Sequence, residues 1–347
     1  MDFSLLTRLT ETPGISGREE RVREVIVEQL SGITAETAVD AMGNFIAHIP
    51  GKGPSVALIA HMDEIGFMVS KIENNGFIRV MPVGGVDQQV FWAQKVIVHG
   101  IKDLAGVVGT VPPHLMKATN GKENKNATLS IEEGFIDLGL PPKTVSDLVQ
   151  IGDPVTFATQ SWENEISFFG KALDDRVGLF MMLESVKKTA EIDCDLFLIA
   201  STQEEYGLRG AGCAVYSVVP QILIALEGTV ASDTPNLKLP SNLEPTIQGK
   251  GPEIRLTDRR MISDRQLADF LSHIAKEEGI NHQVIVKNTG ATDAAAGQIS
   301  AAGVKACAVS VPTRYIHGPV SVARKTDIQE SIALVSSFLK RTSAFAL

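Results

Sequence analysis

Apolar positions in this chain recur in two rhythms. Val22, Ile26 and Leu30 share one face of a helix, the first that the pattern predicts, after the turn Pro13-Gly14-Ile15; Ser16 and Glu19 are spaced as its capping box. A second helix is predicted from Ser263, with Gln266 three residues on, Leu267, Phe270, Leu271 and Ile274 inward, and Gly279 as its stop. A third runs from about Thr326 to Leu339 around Ile328, Ile332 and Val335. All three read as scaffold.

The other rhythm is the short, unbroken apolar run: Val56 to Ala60, Leu196 to Ala200, Ile222 to Leu226 and Ala306 to Val311. Such runs separated by helical patterns predict strands buried on both faces, hence an α/β fold with a mostly parallel sheet covered by helices. From about Phe67 to Phe168 the character changes. Short β-like segments (Phe77 to Met81, Lys95 to His99, Gly106 to Val111) alternate with turns such as Val83-Gly84-Gly85 and Pro112-Pro113, with little helical periodicity. The predicted organisation is an α/β domain over 1–66 and 169–347 interrupted by a small β-rich domain over 67–168.

Composition narrows the function classes. At 347 residues and 44% hydrophobic content the chain can bury a large core. A formal net charge of −9 with no basic block argues against nucleic acid or an anionic membrane surface as partner. Cys194, Cys213 and Cys307 are odd in number and scattered, which suits neither a disulfide framework nor a thiolate zinc site, and points to a reducing compartment. With no basic start followed by an apolar stretch at Met1 to Arg8, and no run near the ~20 apolar residues of a membrane span, the expected location is the cytoplasm.

Chemistry gathers beyond the apolar runs. His61-Met62-Asp63 follows the first, Gln203-Glu204-Glu205 the second and Glu227 the third, while the chain reaches His317 after the fourth. In open α/β sheets ligands bind beyond the carboxyl ends of the strands, so four polar clusters are expected on one rim. Asp174, at the entrance to the helical run Val177, Phe180, Met181, Val186, is either an N-cap or a bridging carboxylate, the cap being the better reading of that position by itself. Each element alone is ordinary: a histidine beside an aspartate is usually a satisfied pair and Glu-Glu is usually solvated. Together, two imidazoles and three carboxylates form an N/O set suited to Zn²⁺, Co²⁺ or Mn²⁺, with enough ligands for two ions sharing one carboxylate. Asp63 is placed to fix the His61 tautomer, and Glu204, facing away from Glu205 along an extended strand, to shuttle the proton of an activated water.

Four segments, Ala60-His61-Met62-Asp63-Glu64-Ile65-Gly66, Gly170-Lys171-Ala172-Leu173-Asp174-Asp175-Arg176, Thr202-Gln203-Glu204-Glu205-Tyr206-Gly207-Leu208-Arg209-Gly210 and Arg314-Tyr315-Ile316-His317, resemble the ordered motifs of the tetrahedral metallo-aminopeptidases, a family that includes glutamyl and deblocking aminopeptidases. The resemblance spans nearly the whole chain. It implies a co-catalytic metal pair, usually zinc or cobalt, peptide substrates cleaved at their N-terminus, and an inserted β domain that mediates assembly into dimers and hollow dodecamers. It also implies that His61, Asp174 and Glu227 hold one metal, that Asp174, Glu205 and His317 hold the other, that Asp63 orients His61 and that Glu204 is the base. Many members have aspartate where this chain has Glu227, and Asp233 is a second nearby carboxylate for that place. Gly290-Ala291-Thr292-Asp293-Ala294 resembles a loop near the substrate and is given no catalytic role. Alternatives are a related metal-dependent deacylase or dipeptidase, a scaffold that has lost its metal affinity, and an endoglucanase, as some relatives have been described; 5% aromatic content gives the last little to stack sugars on. Preference among acidic, basic or apolar N-terminal residues is not encoded in these motifs, Arg314 and Arg259 being candidates to pair with an acidic one.

Overall fold

A computed structural model of the protein describes residues 1–33, 36–110 and 130–345. The chain forms two compact units: Met1–Glu64 with Ser161–Ile316 and Val320–Leu347, and Ile65–Gln160 with His317–Pro319.

The first unit is built on an 11-stranded mixed sheet with four parallel strands at its centre, in the order Asp195–Ser201, Ser55–His61, Ile222–Val230, Lys305–Arg314. Antiparallel strands flank them. Along each central strand successive side chains enter opposite cores: Val56, Leu58 and Ala60 join one cluster, Ala57 and Ile59 the other. Ile222, Ile224 and Leu226 against Leu223 and Ala225 repeat the pattern. Both faces being apolar, the period of two vanishes into a continuous hydrophobic run, and each buried Val, Leu or Ile contributes about 1.5–3 kcal/mol. The helices Leu173–Lys188 and Lys325–Leu339 cover one face; Arg209–Val218 and the short helix Asp293–Gln298 supply the other.

Helix starts depart from the expected capping. A helix at Ser4–Glu11 precedes the one predicted as first, which spans Glu20–Leu30 and buries Val22, Val25, Ile26 and Leu30. Ser16 and Glu19 form no capping box. The Ser16 hydroxyl instead donates to Asp63 Oδ2 at 2.6 Å, and Glu19 Oε1 accepts from the amides of Gly17 and Gln203. A buried carboxylate offers a hydroxyl a charge-assisted bond stronger than a neutral cap. The helix predicted from Ser263 spans Arg265–Glu277, capped by Asp264, whose carboxylate accepts from Leu267 N. The Ser263 hydroxyl donates to the Arg255 carbonyl.

The second unit is a closed antiparallel barrel of six strands, in the order Gly66–Ile72, Ile78–Val83, Phe135–Asp137, Asp103–Gly109, Lys95–His99, Pro154–Phe157. Closure leaves no unpaired edge. Phe67 centres its core, with ring centroids 4.9 Å from Phe91 and 5.6 Å from Phe157. Of the expected β-segments, Val111 and the turn Pro112-Pro113 lie outside the described residues. This unit stops at Gln160 rather than near 168, because Ser167–Gly170 pairs with Ser321–Arg324 and Trp162–Glu163 pairs with Ser167–Gly170, which makes both part of the large sheet. Among the described residues no helix is long and apolar enough to cross a membrane.

Candidate metal centre

His61 ends its strand and is 1% exposed. Its Nε2 lies 3.2 Å from Asp174 Oδ1, 3.8 Å from Glu204 Oε2 and 3.9 Å from Glu227 Oε2. Its Nδ1 lies 3.1 Å from the Asp63 carbonyl and 3.3 Å from Asp63 Oδ1. One nitrogen thus faces a fixed acceptor while the other faces three carboxylates. Two ligand-like groups share this imidazole: His61 with Asp174 and Glu205, and His61 with Asp175 and Glu227, the ligand atoms in each lying within 4.8 Å of one another.

Each carboxylate arrives by a different local device. Asp174 and Asp175 open the helix Leu173–Lys188 with non-helical torsions, after Ala172 in the left-handed region at φ 52°. Asp174 is not the cap. Asp175 takes that role, its Oδ1 accepting from Gly178 N at 3.0 Å and Gly228 N at 2.9 Å and its Oδ2 from His61 N at 3.2 Å. A Cβ at Gly178 would fall 2.3 Å from the Leu226 carbonyl and 2.4 Å from the Asp175 carboxylate, so only glycine lets this helix turn meet the strand. Glu204 and Glu205 do not continue an extended strand as expected. The strand stops at Ser201, Gln203 turns into the left-handed region at φ 56°, and both glutamates sit in the turn that follows. Their amides donate to Asp63 Oδ1 at 3.0 Å and Oδ2 at 3.1 Å. Glu227 lies inside the strand Ile222–Val230 rather than beyond it, with Oε1 3.4 Å from Asp293 N. Asp233, the other carboxylate considered for that position, is held by the Arg314 guanidinium at 2.8 and 2.6 Å and by the Gln248 amide. That pairing also occupies Arg314, which the sequence offered to an acidic substrate. His317 belongs to the barrel unit, where Nδ1 lies 3.0 Å from the Gly85 carbonyl.

Asp293 and the Glu64–Lys171 pair are further buried polar groups of the first unit. The Asp293 carboxylate accepts a short bond from Ser201 Oγ through Oδ2, while Oδ1 is buried without a hydrogen-bond partner. Glu64 takes Lys171 Nζ at 2.6 and 2.5 Å and the Gly14 amide at 3.1 Å. Asp293 sits in the segment Gly290 to Ala294, which is given no catalytic role, and its one legible signal is the resemblance of that segment to a loop near the substrate.

Burial and mutual repulsion dominate the electrostatics. Desolvation, aided by the charges of Glu227, Glu205 and Asp293, pushes the Glu204 carboxyl well above its ordinary range. Burial and the Asp175, Asp174 and Asp293 charges do the same to Glu227. Burial pushes Asp293 up to about 6. At His61 burial opposes the charged form, but bonds to Asp174 and Asp63 and the Glu204 charge outweigh it and hold the imidazole well above its usual value. Asp63 is held down, because its bonds and attraction to His61, its bond from Ser16 and the Glu204 amide exceed the cost of burial. Crowded buried carboxylates, one with an orphaned oxygen, are what a divalent cation would neutralise, and imidazole with carboxylate is a donor set for borderline metals. The described residues fit such an ion.

Comparison with known proteins gives this geometry a lineage. Residues 43–334 match the family described as M42 glutamyl aminopeptidase. The chain is 35% identical to the lysyl aminopeptidase of Pyrococcus furiosus over 98% of this chain and 97% of that one. Among solved structures it is similar to aminopeptidase APDkam598 from the archaeon Desulfurococcus kamchatkensis (TM-score 0.91, 32% identity, 98% and 94% covered). It is also similar to the Pyrococcus horikoshii TET1 peptidase, described as assembling into a tetrahedron or a large octahedral shell (TM-score 0.85, 31% identity, 97% and 98% covered). A match across most of the chain, together with a histidine-carboxylate centre at the strand ends of an α/β sheet, makes this protein a member of the M42 glutamyl aminopeptidase family.

Proposed function

We propose that the protein removes N-terminal residues from peptides with the help of two divalent cations, Zn²⁺ or Co²⁺ before Mn²⁺, held by His61, Asp174, Glu205, Glu227 and His317. The observation that carries this reading is the convergence of the Asp174, Glu204 and Glu227 carboxylates on His61 Nε2. Asp174, in preference to Asp175, would be the carboxylate shared by the two cations, since three backbone amides already occupy the Asp175 carboxylate. Glu227 is preferred to Asp233, which Arg314 holds. His317 enters on its sequence motif.

When bound, the cations supply the Lewis acidity that makes water a nucleophile near neutral pH. The protein's part is geometry and proton management. Asp63 accepts from the Nδ1 side of His61 and leaves Nε2 free to ligate. Glu204 takes the proton from the attacking water and returns it to the leaving amine, a task that burial favours by raising the carboxylate's proton affinity. The assembly that goes with this reading is a homo-oligomer, dimers building a dodecamer; the TET1 relative's description, a tetrahedron or a large octahedral shell, supports assembly of copies. The scattered cysteines, two of them buried, fit the cytoplasm.

Glu204→Gln tests the role directly. The variant should bind Zn²⁺ or Co²⁺ as the parent does and lose more than about 100-fold in kcat, because it removes the proton acceptor and no ligand. Wild-type turnover in this variant contradicts the assignment. His61→Ala and Asp174→Ala should instead lose metal.

A further inference from the structure

The N-terminal turn Gly14–Glu19 is not among the motifs that suggested the chemistry, yet it enters the site at several points. Gly14 makes two bonds with Glu64: its carbonyl accepts from Glu64 N at 2.9 Å, and its amide donates to the side-chain Oε1 at 3.1 Å. Ser16, 7% exposed, donates its hydroxyl to Asp63 Oδ2 at 2.6 Å. Glu19, 3% exposed, accepts the Gln203 amide at 3.1 Å and the Gly17 amide at 2.7 Å through one oxygen.

These contacts meet at the turn that carries Glu204 and Glu205. Asp63 anchors that turn by accepting both glutamate amides, and Ser16 donates to Oδ2, the oxygen that also takes the Glu205 amide. Glu19 holds the amide one residue earlier, at Gln203, where the chain is in the left-handed region at φ 56°. A non-glycine residue there costs on the order of 1–3 kcal/mol and persists only where surrounding bonds fix it. The Glu19 bond is one of those. Between Ser201 and Arg209 the chain is held by its own backbone bonds, Leu208 N to the Glu204 carbonyl at 2.8 Å and Arg209 N to the Gln203 carbonyl at 3.1 Å, and, on the side of residues 203–205, by these side-chain bonds from outside.

We propose that Ser16 and Glu19 are positioning residues for the reaction, holding the Gln203–Glu205 turn so that the Glu204 and Glu205 carboxylates face His61. This rests on the aminopeptidase reading above. Bonds supporting ligands from behind are worth about 10–100-fold in metal affinity or activity. The reading of Ser16 and Glu19 as ordinary helix caps predicts lost stability with no effect on chemistry.

The test compares Ser16→Ala, Ser16→Thr, Glu19→Ala and Glu19→Gln with the parent, in full-length protein stripped by chelator and reloaded with Co²⁺. Measured are kcat and KM on an aminoacyl-p-nitroanilide, Co²⁺ affinity by chelator competition with the Co²⁺ visible spectrum, and the melting temperature of the stripped protein. Expected for both alanine variants is a fall of about 10–100-fold in kcat at near-constant KM, a weaker Co²⁺ complex and an altered spectrum. Ser16→Thr and Glu19→Gln, which keep the hydroxyl and an acceptor oxygen, should recover most of each loss. Parent-like kcat and Co²⁺ binding in the alanine variants overturn the proposal, and so do losses that track melting temperature across all four. A parent without peptidase activity would refute the proposed function, while the Co²⁺ measurements would still test the turn.

Discussion

At Asp63 one buried carboxylate takes hydrogen bonds from Ser16, Glu204 and Glu205 and faces the His61 ring. The sequence reveals the His61–Asp63 spacing, since two residues along a strand end is a short reach, but nothing local announces that Asp63 also receives the backbone of residues far along the chain. The same holds at the third strand. Glu227 and Asp233 are both acidic and close in sequence, and what separates them is the approach of Glu227 to His61 Nε2 and the Arg314 and Gln248 contacts that hold Asp233. Glu227→Gln should therefore lower the number of Zn²⁺ or Co²⁺ ions bound per chain and cut turnover at least about 100-fold, whereas Asp233→Asn should leave the metal count unchanged. Elemental analysis of the purified variants checks both, and a full metal complement in Glu227→Gln would remove that residue from the ligand set. Asp175 is the matching lesson on the helix side. Side by side in sequence, Asp174 faces His61 Nε2 while Asp175 caps the helix, and the division depends on the Gly178 and Gly228 amides that meet Asp175.

Elements were more legible than their ends. Four apolar runs became the four central parallel strands, because a strand buried on both faces needs unbroken hydrophobicity whatever its neighbours are. Helix faces followed equally, with Ile328, Ile332 and Val335 buried in Lys325–Leu339. Starts failed where a polar side chain had a stronger partner elsewhere, as with Ser16 on Asp63 and Ser263 on the Arg255 carbonyl. The left-handed turns at Ala172, Gln203 and Leu208 were invisible for a related reason: none is a glycine, so no residue type marked them. The corrected cap makes its own prediction. Asp264→Ala should destabilise the protein by about 1 kcal/mol through loss of the bond to Leu267 N, with Ser263 unable to replace it. Urea denaturation measures this, and an unchanged midpoint would mean that the cap contributes nothing.

For the molecule as a whole, the change of rhythm after the first strand signalled a second kind of unit, and the barrel from Gly66–Ile72 to Pro154–Phe157 is that unit. Its limit near Gln160 was hidden, since Ser167–Gly170 looks like any other short strand until its pairing with Ser321–Arg324 is known. His317 likewise follows a large-sheet strand in sequence and groups with the barrel. The net charge of −9 gives polyanions no basic footprint. The central claim, metal-dependent release of N-terminal residues, is tested most directly with chelator-stripped protein, a panel of aminoacyl-p-nitroanilides and their N-acetylated controls, each with and without Zn²⁺, Co²⁺ or Mn²⁺. Without metal there should be no turnover and, on metal addition, cleavage of the free-amine substrates alone; cleavage of the acetylated controls, or of neither set under any metal, would overturn metal-dependent release of N-terminal residues.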